Sequence, residues 1–300
     1  MKLLNFGSLN YDYVYSVDHI VTPGETAPSF GMETFCGGKG LNQSVALAKA
    51  GAEVWHAGMV GEDGEQLLAM CRENGVDVSL VKTVPGKSGH TVIQVESGGQ
   101  NCILLYGGSN RQITEEYRQA VFAHFAPGDM LLLQNEVNDV ARLIELGYEK
   151  GMRVVLNPSP FDAAMEACDF SKIAILLVNE IEGRQITGQT EPQTILDTLY
   201  QRYPDTAVVL TLGKQGVIYH DKTQTAAHGI YDVPVVDTTA AGDTFTGYFL
   251  AAMLRGQPVE EALELASKAS SIAVGRKGAA PSIPLLQEVQ NCNLQLIGNP

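Results

Sequence analysis

Residues 130–136 read Met-Leu-Leu-Leu-Gln-Asn-Glu. Consecutive apolar residues without polar alternation describe a strand buried on both faces. The same form recurs along the chain. Arg153–Asn157 is Arg-Val-Val-Leu-Asn, Ile173–Val178 runs into Asn179 and Glu180, and Ala207–Leu212 ends at Gly213 and Lys214. Helical patterns separate these runs at Glu115–Phe125, Asp139–Lys150, Glu180–Ile186 and Gln193–Tyr203. Buried strands alternating with helices predict an α/β fold, a doubly wound and mostly parallel sheet covered by helices. The polar residues that recur just beyond strand ends (Asn135, Glu136, Asn157, Asn179, Glu180, Gly213 and Lys214) predict a ligand site along one sheet edge.

Toward the N-terminus, Lys2–Phe6 reads as a short buried strand, with Asn10 and Asp12 just past its end. Residues 13–17, 29–35, 90–96 and 102–106 have strand composition, and Ser97–Asn101 joins the last two as a hairpin. They predict a small β-sheet of residues 11–36 and 87–107, set discontinuously into a main domain of 1–10, 37–86 and 108–300. Between its halves, Gly37-Gly38-Lys39-Gly40-Leu41-Asn42 opens a helix that Gly51 stops. The spacing is not that of a P-loop, and no G-x-G-x-x-G follows the first strand, which excludes a dinucleotide fingerprint.

Toward the C-terminus, Val235-Val-Asp-Thr-Thr-Ala-Ala-Gly-Asp-Thr-Phe-Thr-Gly247 takes a strand ending through small residues into a helix. A helix start with close-approaching small residues is an anion site. Asp243 sits in its mouth, where a carboxylate is either a turn and helix-cap residue, the commoner role for Gly-Asp at a helix start, or a group that accepts a proton from a substrate hydroxyl. Helix Val259–Val274 and the loop Gly275–Ser282 follow.

The totals narrow the partners. Net charge is −14, which argues against nucleic-acid binding and against anionic membranes. An anionic substrate therefore needs a local positive site. No apolar run reaches the roughly 18 residues of a membrane span, and Asn5 and Ser8 interrupt the N-terminus too early for a signal peptide. Five scattered cysteines without a C-x-x-C pair predict reduced thiols in a cytoplasmic protein.

The ordered set Gly37–Asn42, Asn179–Glu182, Thr211–Gly216, Asp237–Asp243 and Arg276–Ser282 resembles the ribokinase-like (PfkB-type) carbohydrate kinases over nearly the whole chain. The resemblance implies ATP-dependent transfer of a phosphoryl group to a sugar hydroxymethyl group, with ribose the leading substrate. It implies Asp243 as the base, and the amides of Ala240, Ala241, Gly242 and Asp243 as the cradle of the moving group. Asn10, Asp12, Gly38, Lys39, Asn42 and Glu136 would contact the sugar. Asn179, Thr211, Gly213, Gly216 and Ser267 would border the nucleotide, and Glu182 would organise Mg²⁺ through water. Asp237, Thr239, Ala273, Arg276, Gly278 and Ser282 match the positions of a K⁺ site, mostly through carbonyls. The small sheet would act as a lid and pair to form a homodimer.

Two departures stand out. Tyr11 and Tyr13 flank Asp12 where relatives carry small or different residues; with Tyr15 they alternate, so two readings stay open, a ring that reshapes the sugar pocket toward another pentose, a hexose or a nucleoside, and core or dimer packing. Ser267 stands where relatives often place a larger adenine-contacting side chain. A non-catalytic sugar- or nucleotide-binding regulator on the same scaffold is disfavoured by the intact Gly242-Asp243 pair.

Overall fold

The structure, a computed structural model, describes residues 1–298. The central sheet has eight strands in the order Thr225–His228, Val217–His220, Ala207–Thr211, Ile175–Asn179, Arg153–Asn157, Met130–Gln134, Leu3–Phe6 and Val54–Ala57. The last six are parallel, and the first two form an antiparallel edge. Side-chain alternation divides each apolar run between two cores. Leu132, Val155, Leu177 and Val209 face the helices Lys39–Lys49, Ala241–Leu254 and Val259–Val274. Leu131, Leu133, Val154, Leu156 and Leu210 face Glu115–Phe122, Val140–Glu149 and Pro192–Arg202. Buried strands and two helical layers are what the continuous apolar runs required.

The antiparallel edge was not expected from the alternation. Its turn is closed by Asp221, whose carboxylate accepts from the amides of Thr223 and Gln224 at 2.7 and 2.9 Å. This side-chain turn chemistry sends the chain straight back instead of through a crossover helix.

The second sheet has the order Gly31–Gly37, Asn10–Val17, Gly89–Glu96, Asn101–Tyr106. Its middle pair is parallel and its outer pairs are antiparallel. Asn10 and Asp12 belong to a strand of this sheet, not to a loop after the first strand. The edge strand Asn101–Tyr106 is exposed throughout, with Ile103 at 56% and Leu104 at 70%.

Helix Ala241–Leu254 is the most enclosed of the helices near the site. Every residue from Asp243 to Ala252 is buried, because it runs between the Lys39–Lys49 and Val259–Val274 helices. Its crossing with Lys39–Lys49 is close. A Cβ at Gly247 would lie 2.4 Å from Ala46 Cβ and 2.7 Å from the Leu47 nitrogen. Only a residue without a side chain permits that approach. Gly247→Val is therefore expected to destabilise the protein by about 1–3 kcal/mol through overpacking. A urea denaturation midpoint equal to wild type would contradict this account of the crossing.

Candidate active site

The Ala241–Leu254 helix begins after Ala240, which holds the left-handed conformation at φ 60° despite its Cβ. No side chain caps the helix. The amide of Ala241 donates to Thr238 O at 3.2 Å, while those of Ala240, Gly242 and Asp243 have no acceptor among the described residues. Of the four amides assigned to the cradle, Ala241 is thus committed to the turn, whereas the other three are free. Uncommitted amides at a helix start present partial positive charge.

Asp243 is 8% exposed. Its Oδ2 accepts from Asn42 Nδ2 at 3.0 Å and its Oδ1 from Gln43 Nε2 at 2.9 Å. Both donors stand on the first turn of the Lys39–Lys49 helix, so the close helix crossing brings them to the carboxylate. Asn42 Oδ1 is buried and has no hydrogen-bond partner among the described residues.

Asp12 packs against Gly37. A Cβ at Gly37 would sit 2.0 Å from Asp12 Oδ2, so the glycine leaves the carboxylate its space. Thr91 Oγ1 donates to Asp12 Oδ1 at 2.5 Å. Burial, together with the nearby Glu136 and Asp243 carboxylates, holds the Asp12 carboxyl above its usual range, against the opposing pull of Thr91 and Lys39. Asn10 is positioned by Asn110, whose Nδ2 donates to Asn10 Oδ1 at 2.7 Å. Glu136 Oε2 accepts from Ser8 Oγ at 2.5 Å and from the Lys39 amide at 3.0 Å. The Lys39 side chain is half-buried. Burial alone would lower its ammonium, but Asp243, Glu136, Glu182 and Asp12 together outweigh that and raise it. The most acidic corner of the site thereby carries a fixed cation.

On the other side of Asp243, a cavity of 220 Å³ is lined by Lys39, Asn157, Asn179, Glu182, Thr211 and the 240–243 turn. It shares Thr211, Thr238, Ala241, Gly242 and Phe245 with a second cavity of 560 Å³ bordered by Gly213, Gly216, Val235 and Ser267. The two make one trough leading to Asp243. Asn179 and Glu182 form a reciprocal cap: Glu182 N donates to Asn179 Oδ1 at 2.8 Å and Asn179 N to Glu182 Oε2 at 3.1 Å. Asn179 therefore has a structural duty, with its Nδ2 left over. Glu182, 5% exposed, keeps Oε1 without a protein partner.

No cluster of three metal-ligating side chains exists among the described residues. Near the helix start, Asp237 Oδ1 accepts from Thr239 N at 2.9 Å and Oδ2 from Gly278 N at 3.0 Å, joining the two loops. The carbonyls of Thr239, Arg276 and Gly278 accept no hydrogen bond among the described residues. Ala273 O accepts from Arg276 N at 3.0 Å, the Arg276 side chain pairs with Glu288, and Ser282 Oγ donates to Ala279 O at 2.7 Å. Such oxygens suit a hard monovalent or divalent cation, with carbonyls as ligands.

Of the two readings of Tyr11 and Tyr13, the structure has packing. Pleating sends them to the face opposite Asp12. Tyr11 OH donates to Asp63 O at 2.6 Å, and the two rings stack with centroids 6.3 Å apart. Tyr13 then packs edge-on against His90. They back the sheet and do not enter the sugar side. Conversely, Thr91, Asn110, Ser8 and Gln43 were missed as positioning residues. Gln43 is adjacent to Asn42 in the motif, which is the only sequence signal any of them carried.

The chain matches the pfkB family of carbohydrate kinases over residues 1–286. It is 34% identical over 291 residues to a ribokinase of Haemophilus influenzae, covering 94% of this chain and 95% of that one. It is 35% identical to a ribokinase of Schizosaccharomyces pombe, with 96% of each covered. The solved structure of Arabidopsis thaliana ribokinase complexed with ribose and ATP is 30% identical, with TM-score 0.85 over 96% of this chain and 97% of that chain.

Behind the site, His56 is fully buried and pairs with Ser44 Oγ at 2.8 Å. Burial pushes its imidazole from 6.5 down to about 4, although the Gly7 carbonyl opposes this. The unfolded chain therefore binds a proton that the folded chain refuses between those values. Stability is expected to fall as pH drops from about 6.5 to about 4, by up to about 1.4 kcal/mol per pH unit from this group. Urea midpoints across that window measure it, and His56→Gln should flatten the slope. An equal slope in the variant would contradict a neutral buried histidine.

Proposed function

This chain belongs to the pfkB family of carbohydrate kinases, and from that membership we propose that it transfers the γ-phosphoryl group of ATP to a hydroxymethyl group of ribose. The carrying observation is Asp243, held by two side-chain amides at an uncapped helix start that borders the trough. The sugar lies against Asn10, Asp12, Gly38, Lys39, Asn42 and Glu136. Carboxylates and amides at these positions match the donors and acceptors of a polyol. ATP occupies the trough, its base toward Ser267 and Gly216 and its phosphates toward Asn179 and the 240–243 turn.

Asp243 takes the proton of the attacking hydroxyl. The free amides of Ala240, Gly242 and Asp243, with Lys39, stabilise the charge spread over the transferring group. Mg²⁺ neutralises phosphate charge when bound. Glu182, whose Oε1 has no hydrogen-bond partner among the described residues, would hold it through water. K⁺ would lie among the carbonyls of Thr239, Ala273, Arg276 and Gly278 with Asp237 and Ser282, beside the helix start whose amides it helps to place.

The four-stranded sheet is read as a lid over the sugar, excluding water during transfer. Its exposed edge, Ile103 to Tyr106, favours a homodimer that covers it. Five unpaired cysteines favour a reducing, cytoplasmic location. With Tyr11 and Tyr13 turned away, no observation favours a nucleoside over a simple sugar.

Asp243→Ala should lower kcat by about 10²–10⁴-fold with the fold retained, measured as ADP release under saturating ribose and Mg·ATP. Near-normal turnover would remove Asp243 as the base. Replacing K⁺ by Na⁺ should lower activity, and indifference to the exchange would remove the cation assignment.

A further inference from the structure

Behind Asp243 runs a chain of buried amides that the transfer itself does not use. Gln43 Nε2 donates to Asp243 Oδ1 at 2.9 Å and to Asn157 Oδ1 at 3.2 Å. Gln43 Oε1 accepts from Gln134 Nε2 at 2.7 Å, and the same amide donates to Asn5 Oδ1 at 2.9 Å. Asn5 Nδ2 donates to Gly40 O at 2.7 Å and to Ser44 Oγ at 2.8 Å. Ser44 meets His56 Nδ1 at 2.8 Å, which leaves His56 Nε2 for the Gly7 carbonyl. Gln43, Gln134, Asn5, Ser44 and His56 are all wholly buried.

The direction of every bond follows from one end. An ionised carboxylate only accepts, so Gln43 must turn its NH₂ toward Asp243. Its oxygen then faces Gln134, which must turn its own NH₂ inward, and Asn5 must answer with its oxygen. Reversing one amide opposes two oxygens or two NH₂ groups. The arrangement has a cost: Gln134 Oε1 is buried without a partner.

We propose that Gln43 is a positioning residue for Asp243, oriented in turn by Gln134 and Asn5, and that this chain fixes the plane of the carboxylate receiving the substrate proton. This rests on the reading of Asp243 as base. Asn42 alone anchors one oxygen and leaves the carboxylate free to turn about its Cβ–Cγ bond. Gln43 supplies the second anchor, and Gln134 prevents Gln43 from presenting its oxygen instead. Loss of Gln43 therefore leaves Asp243 in the pocket, able to meet the sugar but less often aligned.

The test is a double-mutant cycle on kcat, with KM for ribose and Mg·ATP measured alongside. Gln43→Leu should lower kcat by about ten- to a hundredfold, the effect typical of hydrogen-bond partners one layer behind a site, with both KM values near wild type. Gln134→Leu should lower kcat less, and should have no further effect in the Gln43→Leu background. Wild-type kcat in Gln43→Leu, or an equal Gln134→Leu loss in both backgrounds, would overturn the proposal. If Gln43→Leu does not fold, Gln134→Leu decides alone, because it removes the donor and the orphaned oxygen together; unchanged kcat there overturns it. An inactive Asp243→Ala beside a fully active Gln43→Leu would spare the base and sink only the positioning chain. An active Asp243→Ala would sink both.

Discussion

Everything near the site depends on one buried carboxylate shared between two helices. Asp243 rides on the Ala241–Leu254 helix, and its donors Asn42 and Gln43 ride on Lys39–Lys49. Such a carboxylate is tolerable inside only when its oxygens are answered. The helices can supply those donors because Gly247 lets them cross almost backbone to backbone. The same crossing points an uncapped helix start at the trough. Asp243, its two amide donors and the uncapped helix start are thus brought together by a single packing contact.

Electrostatics follows from that contact. The chain is acidic overall, and the sugar side gathers Asp12, Glu136 and Asp243. Lys39 stays cationic because those acids outweigh its burial, and the free amides at the helix start add positive potential without adding a side chain. An anionic nucleotide therefore meets free amide donors and one fixed cation at the helix start, in a protein whose overall charge repels anions.

Much of the architecture was legible in the sequence, because buried parallel strands have few disguises. Leu131–Leu133, Val154–Leu156 and Val208–Leu210 lie where their apolar runs put them. The edge hairpin at 217–228 was less legible, since its four-residue strands resemble parts of a longer loop. The alternation of Tyr11 and Tyr13 left two faces open in the sequence, and only the pleated sheet shows that they turn away from Asp12. The amide chain from Gln43 to Asn5 left no spacing signal, because its members come from three elements far apart in the chain. Motif residues such as Asp243 and Asn42 were recognisable, but what holds them was visible only in three dimensions.

The central claim is that this arrangement phosphorylates a free pentose. The most direct measurement is ADP release from Mg·ATP, with K⁺ present, across ribose, deoxyribose, fructose, tagatose, adenosine and pseudouridine. The account predicts the highest kcat/KM for ribose. A preference for a nucleoside, or no turnover of any acceptor, would contradict it.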